Sequence, residues 1–70
     1  MYEPDELTIY IIAKGKLNNV IAGGLSRGLS LETMVETYRS SINVLLEMEA
    51  TLEKTLKLVV PKDEAWRYLL

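Results

Sequence analysis

The segment Gly24-Leu25-Ser26-Arg27-Gly28 has the spacing G-x-S-x-G. A serine at such a turn becomes a nucleophile when a histidine and an acid stand beside it, on a strand-turn-helix scaffold. The chain contains no histidine and has only 70 residues, too few for that scaffold. The glycines are therefore read as a loop joining two helices. They also lack the G-x-x-x-x-G-K-[ST] spacing of a phosphate-binding loop.

Ten carboxylates could supply acid-base or metal chemistry, but they are spread along the chain. Pairs at helical spacing, such as Glu32 with Glu36 and Glu49 with Glu53, read as solvated flank, with Glu49 the exception because it falls in an apolar seam. With neither Cys nor His, the usual zinc ligands are missing and a disulfide framework is excluded. No catalytic residue, metal ligand or cofactor is expected, and the chain reads as a non-enzyme.

Lys14, Lys16 and Arg27, with Asn18 and Asn19 between them, form the one stretch of a single sign. Flanked by two helices they could contact phosphates in a helix-turn-helix arrangement. Three cations are few, however, and the helix that would enter the groove opens with Glu32 and Glu36, which phosphates repel. Nucleic-acid binding is the alternative reading of function, using the Lys14 to Arg27 region.

The element that must position any site is a long helix over residues 31–59. Ser30 suits its N-cap, Glu32 and Glu36 favour its first turns, Lys54 and Lys57 its last, and Pro61 stops it. Leu31, Val35, Tyr38, Ile42, Leu45, Leu52, Leu56 and Val59 recur at 3-4 spacing, a heptad seam interrupted at Glu49. Glu49 would be an exposed gap, a partner for a lysine such as Lys14, or a polar device fixing register. Glu53 and Lys57 form an i,i+4 pair on the flank.

Pro4, Asp5 and Glu6 read as the start of a first helix over residues 4–25, whose broad apolar face carries Leu7, Tyr10, Ile11, Ala13, Leu17, Val20, Ile21 and Leu25. The strand formers Leu7 to Ile12 and the turn-like Lys14-Gly15-Lys16 allow an alternative, a β-hairpin of residues 7–13 and 17–22. A lone two-stranded hairpin is marginal, which favours helix. Gly23, Gly24 and Gly28 are expected to break the chain before the long helix. Pro61-Lys62-Asp63-Glu64 repeats the start signal, and a short C-terminal helix would carry Ala65, Trp66, Leu69 and Leu70.

The expected fold is all-α: one domain over residues 1–70, an antiparallel two-helix hairpin with a long second helix and a short C-terminal helix. A helix of residues 31–58 would span ~42 Å, whereas a compact 70-residue globule has a radius of gyration of ~11 Å. Met34, Met48, Leu46, Val44 and Val60 lie outside the seam, so one partner helix cannot cover every apolar side chain. Two hairpins pairing into a four-helix bundle would cover both faces, making a homodimer the simplest stable form. Met34, Tyr38, Ile42, Leu45, Leu46, Met48, Glu49 and Leu52 are the expected interface.

A 49% hydrophobic and 26% charged composition is that of a folded protein, and a net charge of −2 gives no general attraction to nucleic acid or anionic lipid. The acidic N-terminal residues and the short apolar run Ile9 to Ala13 fit neither a signal peptide nor a membrane span, so a cytoplasmic location is expected. These readings converge on a helical protein-protein interaction protein: an adaptor, assembly factor or inhibitor of a larger macromolecule. Small acidic chains are frequent among the accessory products of viruses and mobile elements, and the expectation extends to that origin.

Overall fold

The computed structural model describes residues 5–70, and Pro4 lies outside them. The described residues are helical with no strand. Asp5 begins the first helix, α1 (Glu6–Ser26), by accepting a hydrogen bond from the Thr8 amide at 2.8 Å. Residues 7–22 are thus continuous helix, and the β-hairpin alternative is overturned. Its strand formers serve instead to make α1 apolar on several sides. Tyr10, Leu17, Ile21 and Gly24 face inward, while Ile9, Ile11, Ile12 and Val20 remain exposed.

Gly23 and Gly24 do not break the chain: both lie inside α1. Gly24 is buried where α1 meets the second helix, and a Cβ there would overlap the Met34 thioether. The close approach requires the missing side chain. The chain turns at Gly28 instead, with φ +91°. The Gly28 amide donates to the Leu25 carbonyl and the Leu29 amide to the Gly24 carbonyl, both at 3.0 Å, the paired bonds of a Schellman cap.

The expected long helix is divided and shortened. Ser30 caps α2 (Leu31–Thr37) by accepting from the Thr33 amide at 3.1 Å, and α3 (Arg39–Thr55) follows after Tyr38. Tyr38 has φ −106° and ψ 22°, outside helical values, although its amide still bonds to Met34 and its carbonyl to Ile42. The Thr37 hydroxyl donates to the Thr33 carbonyl at 2.8 Å, a competing bond of the kind that bends helices.

At the other end α3 stops at Thr55, not Val59. Lys57 takes a left-handed conformation at φ 57°, and the Leu58 amide turns back to the Leu52 carbonyl at 3.5 Å. Val60 is buried and precedes Pro61, which disfavours helical geometry at that residue. Leu56 and Val59 accordingly leave the expected seam and are exposed, Val59 at 93%. The C-terminal residues form a 3₁₀ turn, Ala65–Leu69, that buries Trp66 and leaves Leu69 and Leu70 exposed.

Tyr10, Leu17 and Ile21 of α1 form one core with Met34 and Val35 of α2, Ile42, Leu45 and Leu52 of α3, and Val60 and Trp66. Glu6 and Ile9 at the start of α1 meet Thr51 and Leu52 at the end of α3, while Val20 meets Tyr38 and Ser41 near its beginning. The two helices therefore run in opposite directions. Residues 61–67 cover one side of this pair, through Lys14 and Asn18 of α1 and Glu49 and Glu53 of α3. The other side carries no further element of the described chain.

Candidate functional site

Glu49 is the most informative side chain. It is neither an exposed gap in the seam nor a direct partner of Lys14. It is 3% exposed, on the face of α3 that carries Leu45 and Leu52 into the core. The Tyr10 hydroxyl donates to its Oε2 at 2.6 Å, and the Arg67 guanidinium donates to both oxygens, with Nη1 2.9 Å from Oε1 and Nη2 on Oε2. The fork matches the two-pronged geometry of a carboxylate.

Arg67 also donates from Nε to Glu64 Oε2 at 2.8 Å, and Lys14 Nζ lies 2.8 Å from Glu64 Oε1. Two cations and two carboxylates thus alternate as Lys14, Glu64, Arg67, Glu49. Lys14 further donates to the Pro61 carbonyl at 3.1 Å, and the Trp66 indole N–H donates to Asn18 at 3.0 Å. The Arg67 guanidinium lies 4.6 Å from the centre of the Trp66 ring, within cation-π range.

Burial alone would raise the carboxyl pKa values, but the cations outweigh it. Hydrogen bonds from Arg67 and Tyr10 hold Glu49 below its usual value, and those from Arg67 and Lys14 bring Glu64 down to about 2. Hydrogen bonding to Glu49 raises Arg67 despite desolvation. Desolvation, then the bond to Glu49, raises the Tyr10 phenol, so it stays a donor at neutral pH. Glu49, Glu64, Arg67 and Tyr10 are each held in their ordinary charge state by a specific neighbour. The arrangement locks residues 61–67 onto α1 and α3, and it poises no group to exchange a proton near neutrality. Among the described residues, no three carboxylates gather as metal ligands.

The open side of the α1–α3 pair has a different character. One groove of ≈ 320 Å³ is lined by Glu6 and Ile9 of α1 and by Val44, Glu47, Met48, Thr51 and Leu52 of α3. A second, of ≈ 370 Å³, shares Val44 and Met48 and continues past Ala13, Lys16 and Val20. Through the shared Val44 and Met48 the two grooves form one continuous, largely apolar face across both helices.

The expected interface is redistributed. Met34, Ile42, Leu45, Glu49 and Leu52 are buried inside this chain, covered by α1 and the C-terminal segment. Tyr38, Leu46 and Met48 are partly buried against the same core, and of these Tyr38 and Met48 reach the open groove. Division at Tyr38 and termination at Thr55 let α1, α2 and the tail wrap the seam. Val20, expected on the broad apolar face of α1, lines the open groove, as does Ile9, because the helix is apolar on several sides.

The basic cluster also disperses: Lys14 is engaged with Glu64, while Lys16 and Arg27 lie elsewhere along α1 and its cap. Glu53 pairs with Lys62 at 3.0 Å, not with Lys57, because the left-handed turn takes Lys57 off the helix. Ser26 closes α1 with no histidine in the chain to activate it. No described helix is long and apolar enough to cross a membrane. No family model matches the chain, and comparison with curated proteins and with solved structures finds no match either.

Proposed function

We propose that the protein acts by binding and not by chemistry, as a small helical interaction module that docks through the open α1–α3 face onto an apolar protein surface. One observation carries this reading: the face formed by Ile9, Ala13, Val20, Val44 and Met48 is continuous across two helices and uncovered by the described chain. Contiguous exposed apolar surface of this kind marks interaction sites. The placement of the ionisable groups supports the same reading, since the buried carboxylates are each matched to a cation. An adaptor, assembly factor or inhibitor of a larger macromolecule needs no more than such a face on a stable support.

The test is photo-crosslinking from position 44 on the open face, with position 59 on the exposed C-terminal loop as control. Protein adducts forming in host extract from position 44 and not from 59 are expected. Failure to form any adduct from position 44 refutes docking through this face.

A further inference from the structure

We propose that the occupant of the open face is a second copy of this chain, related by a two-fold axis, with α1 of one copy antiparallel to α1 of the other. This rests on the binding reading above and names its partner.

The argument is the distribution of charge along the face. Along α1 its charges are segregated: Glu6 borders the groove at the start of the helix and Lys16 borders it ten residues further on, while Glu47 borders it from the middle of α3. None of the three makes an ion pair among the described residues. Between Glu6 and Lys16 the face carries Ile9 and Ala13. A two-fold axis near Ile11 makes the pair Glu6 and Lys16 complementary to itself. It sets Glu6 of each copy opposite Lys16 of the other, with Ile9 opposite Ala13. A parallel arrangement would set like charges together.

With the axis near Ile11, residues 6–16 of the two α1 helices overlap, a contact ~15 Å long across two helices of ~10 Å each. A second pair of opposed helices on this face completes a four-helix bundle. The chain is also thin for its size, with a radius of gyration of 13.1 Å and a smallest extent of 19 Å. A compact domain of this length has ~11 Å. Stacking a second layer on the open face thickens it.

Sedimentation equilibrium of the full chain reads the mass directly. A mass of twice 7.9 kDa at micromolar concentration is expected. Lys16→Glu and Glu6→Lys, each alone, place like charges in both symmetric contacts and should weaken self-association at least ~10-fold. Mixing the two variants restores both opposite-charge contacts and should restore the dimer, a result that nonspecific association or simple misfolding does not produce. Both substituted positions are exposed, and an unchanged helical circular dichroism spectrum checks the fold.

A mass of 7.9 kDa up to 100 µM for the parent chain, or a mixture no more associated than its components, overturns the proposal. Adducts from position 44 to a different protein would then leave the binding reading standing with another partner. Absence of any adduct would remove both.

Discussion

Replacing Arg67 by methionine keeps most of the side chain's length and apolar stem while deleting the charge that faces Glu49 and Glu64. In the parent, Glu49 is 3% exposed and holds three hydrogen bonds, two of them from Arg67. Breaking a buried pair on one side typically costs about 3–5 kcal/mol, because the remaining charge stays buried without a partner. A 70-residue domain has about 4–10 kcal/mol of total stability at 0.05–0.15 kcal/mol per residue. Arg67→Met should therefore remove a third or more of it, seen in urea unfolding followed by circular dichroism.

Two companion measurements separate this cause from lost packing. Adding Glu49→Gln to Arg67→Met removes the stranded charge while keeping an acceptor for Tyr10, and should recover at least about half of the loss. The pH dependence should also change sign. In the parent, Glu64 is held down at about 2, so its contribution is complete above its ordinary value of 4.5 and disappears as pH falls toward 2. At about 1.4 kcal/mol per unit this amounts to about 3 kcal/mol. In Arg67→Met, burial at Glu49 is no longer opposed by the guanidinium, so its folded pKa rises above the unfolded one. The variant then gains stability as pH falls through that raised value. An Arg67→Met protein within about 1 kcal/mol of the parent at pH 7 and unchanged in acid response would refute the reasoning.

Lys57 occupies a left-handed conformation at φ 57°, which costs a non-glycine residue about 1–2 kcal/mol, so Lys57→Gly should raise the urea midpoint. A lower midpoint would show that the lysine side chain contributes more than its backbone strain. Gly24→Ala sets a methyl group against the Met34 thioether and should destabilise by about 1–3 kcal/mol. Shortening the opposing side chain with Met34→Val in the same protein should cost less than the two changes separately, as a double-mutant cycle will read.

The signals that proved reliable in the sequence were local ones. Ser30 caps α2 as expected, the start signal at Asp5 and Glu6 falls at the beginning of α1 with Asp5 as its cap, and of the three glycines expected to break the chain only Gly28 turns it. The 3-4 spacing of Val35, Ile42, Leu45 and Leu52 marked interior positions because one helical face points inward whatever covers it. What covers it was not legible. Periodicity continues smoothly through Tyr38, where a threonine hydroxyl competes for a backbone carbonyl, and through Leu56 to Val59, where the chain leaves the helix.

The polar site shows the same division. An acid at a seam position signalled that Glu49 needed a partner, but Arg67 reaches it only because the chain doubles back beyond Pro61. The adjacent tryptophan was the one hint, since a residue destined for burial brings its neighbour with it. Gly24 lies in the middle of a helix for a reason that exists only between helices, the approach of Met34.

Trp66 is the only tryptophan, is 2% exposed, and is held by Asn18 of α1 and stacked with Arg67. Its fluorescence consequently reports attachment of the C-terminal segment, while circular dichroism reports the three helices. If the tail can detach while the helices persist, the two signals will separate along one denaturant titration. If they coincide, the tail is as integral to the cooperative unit as any helix.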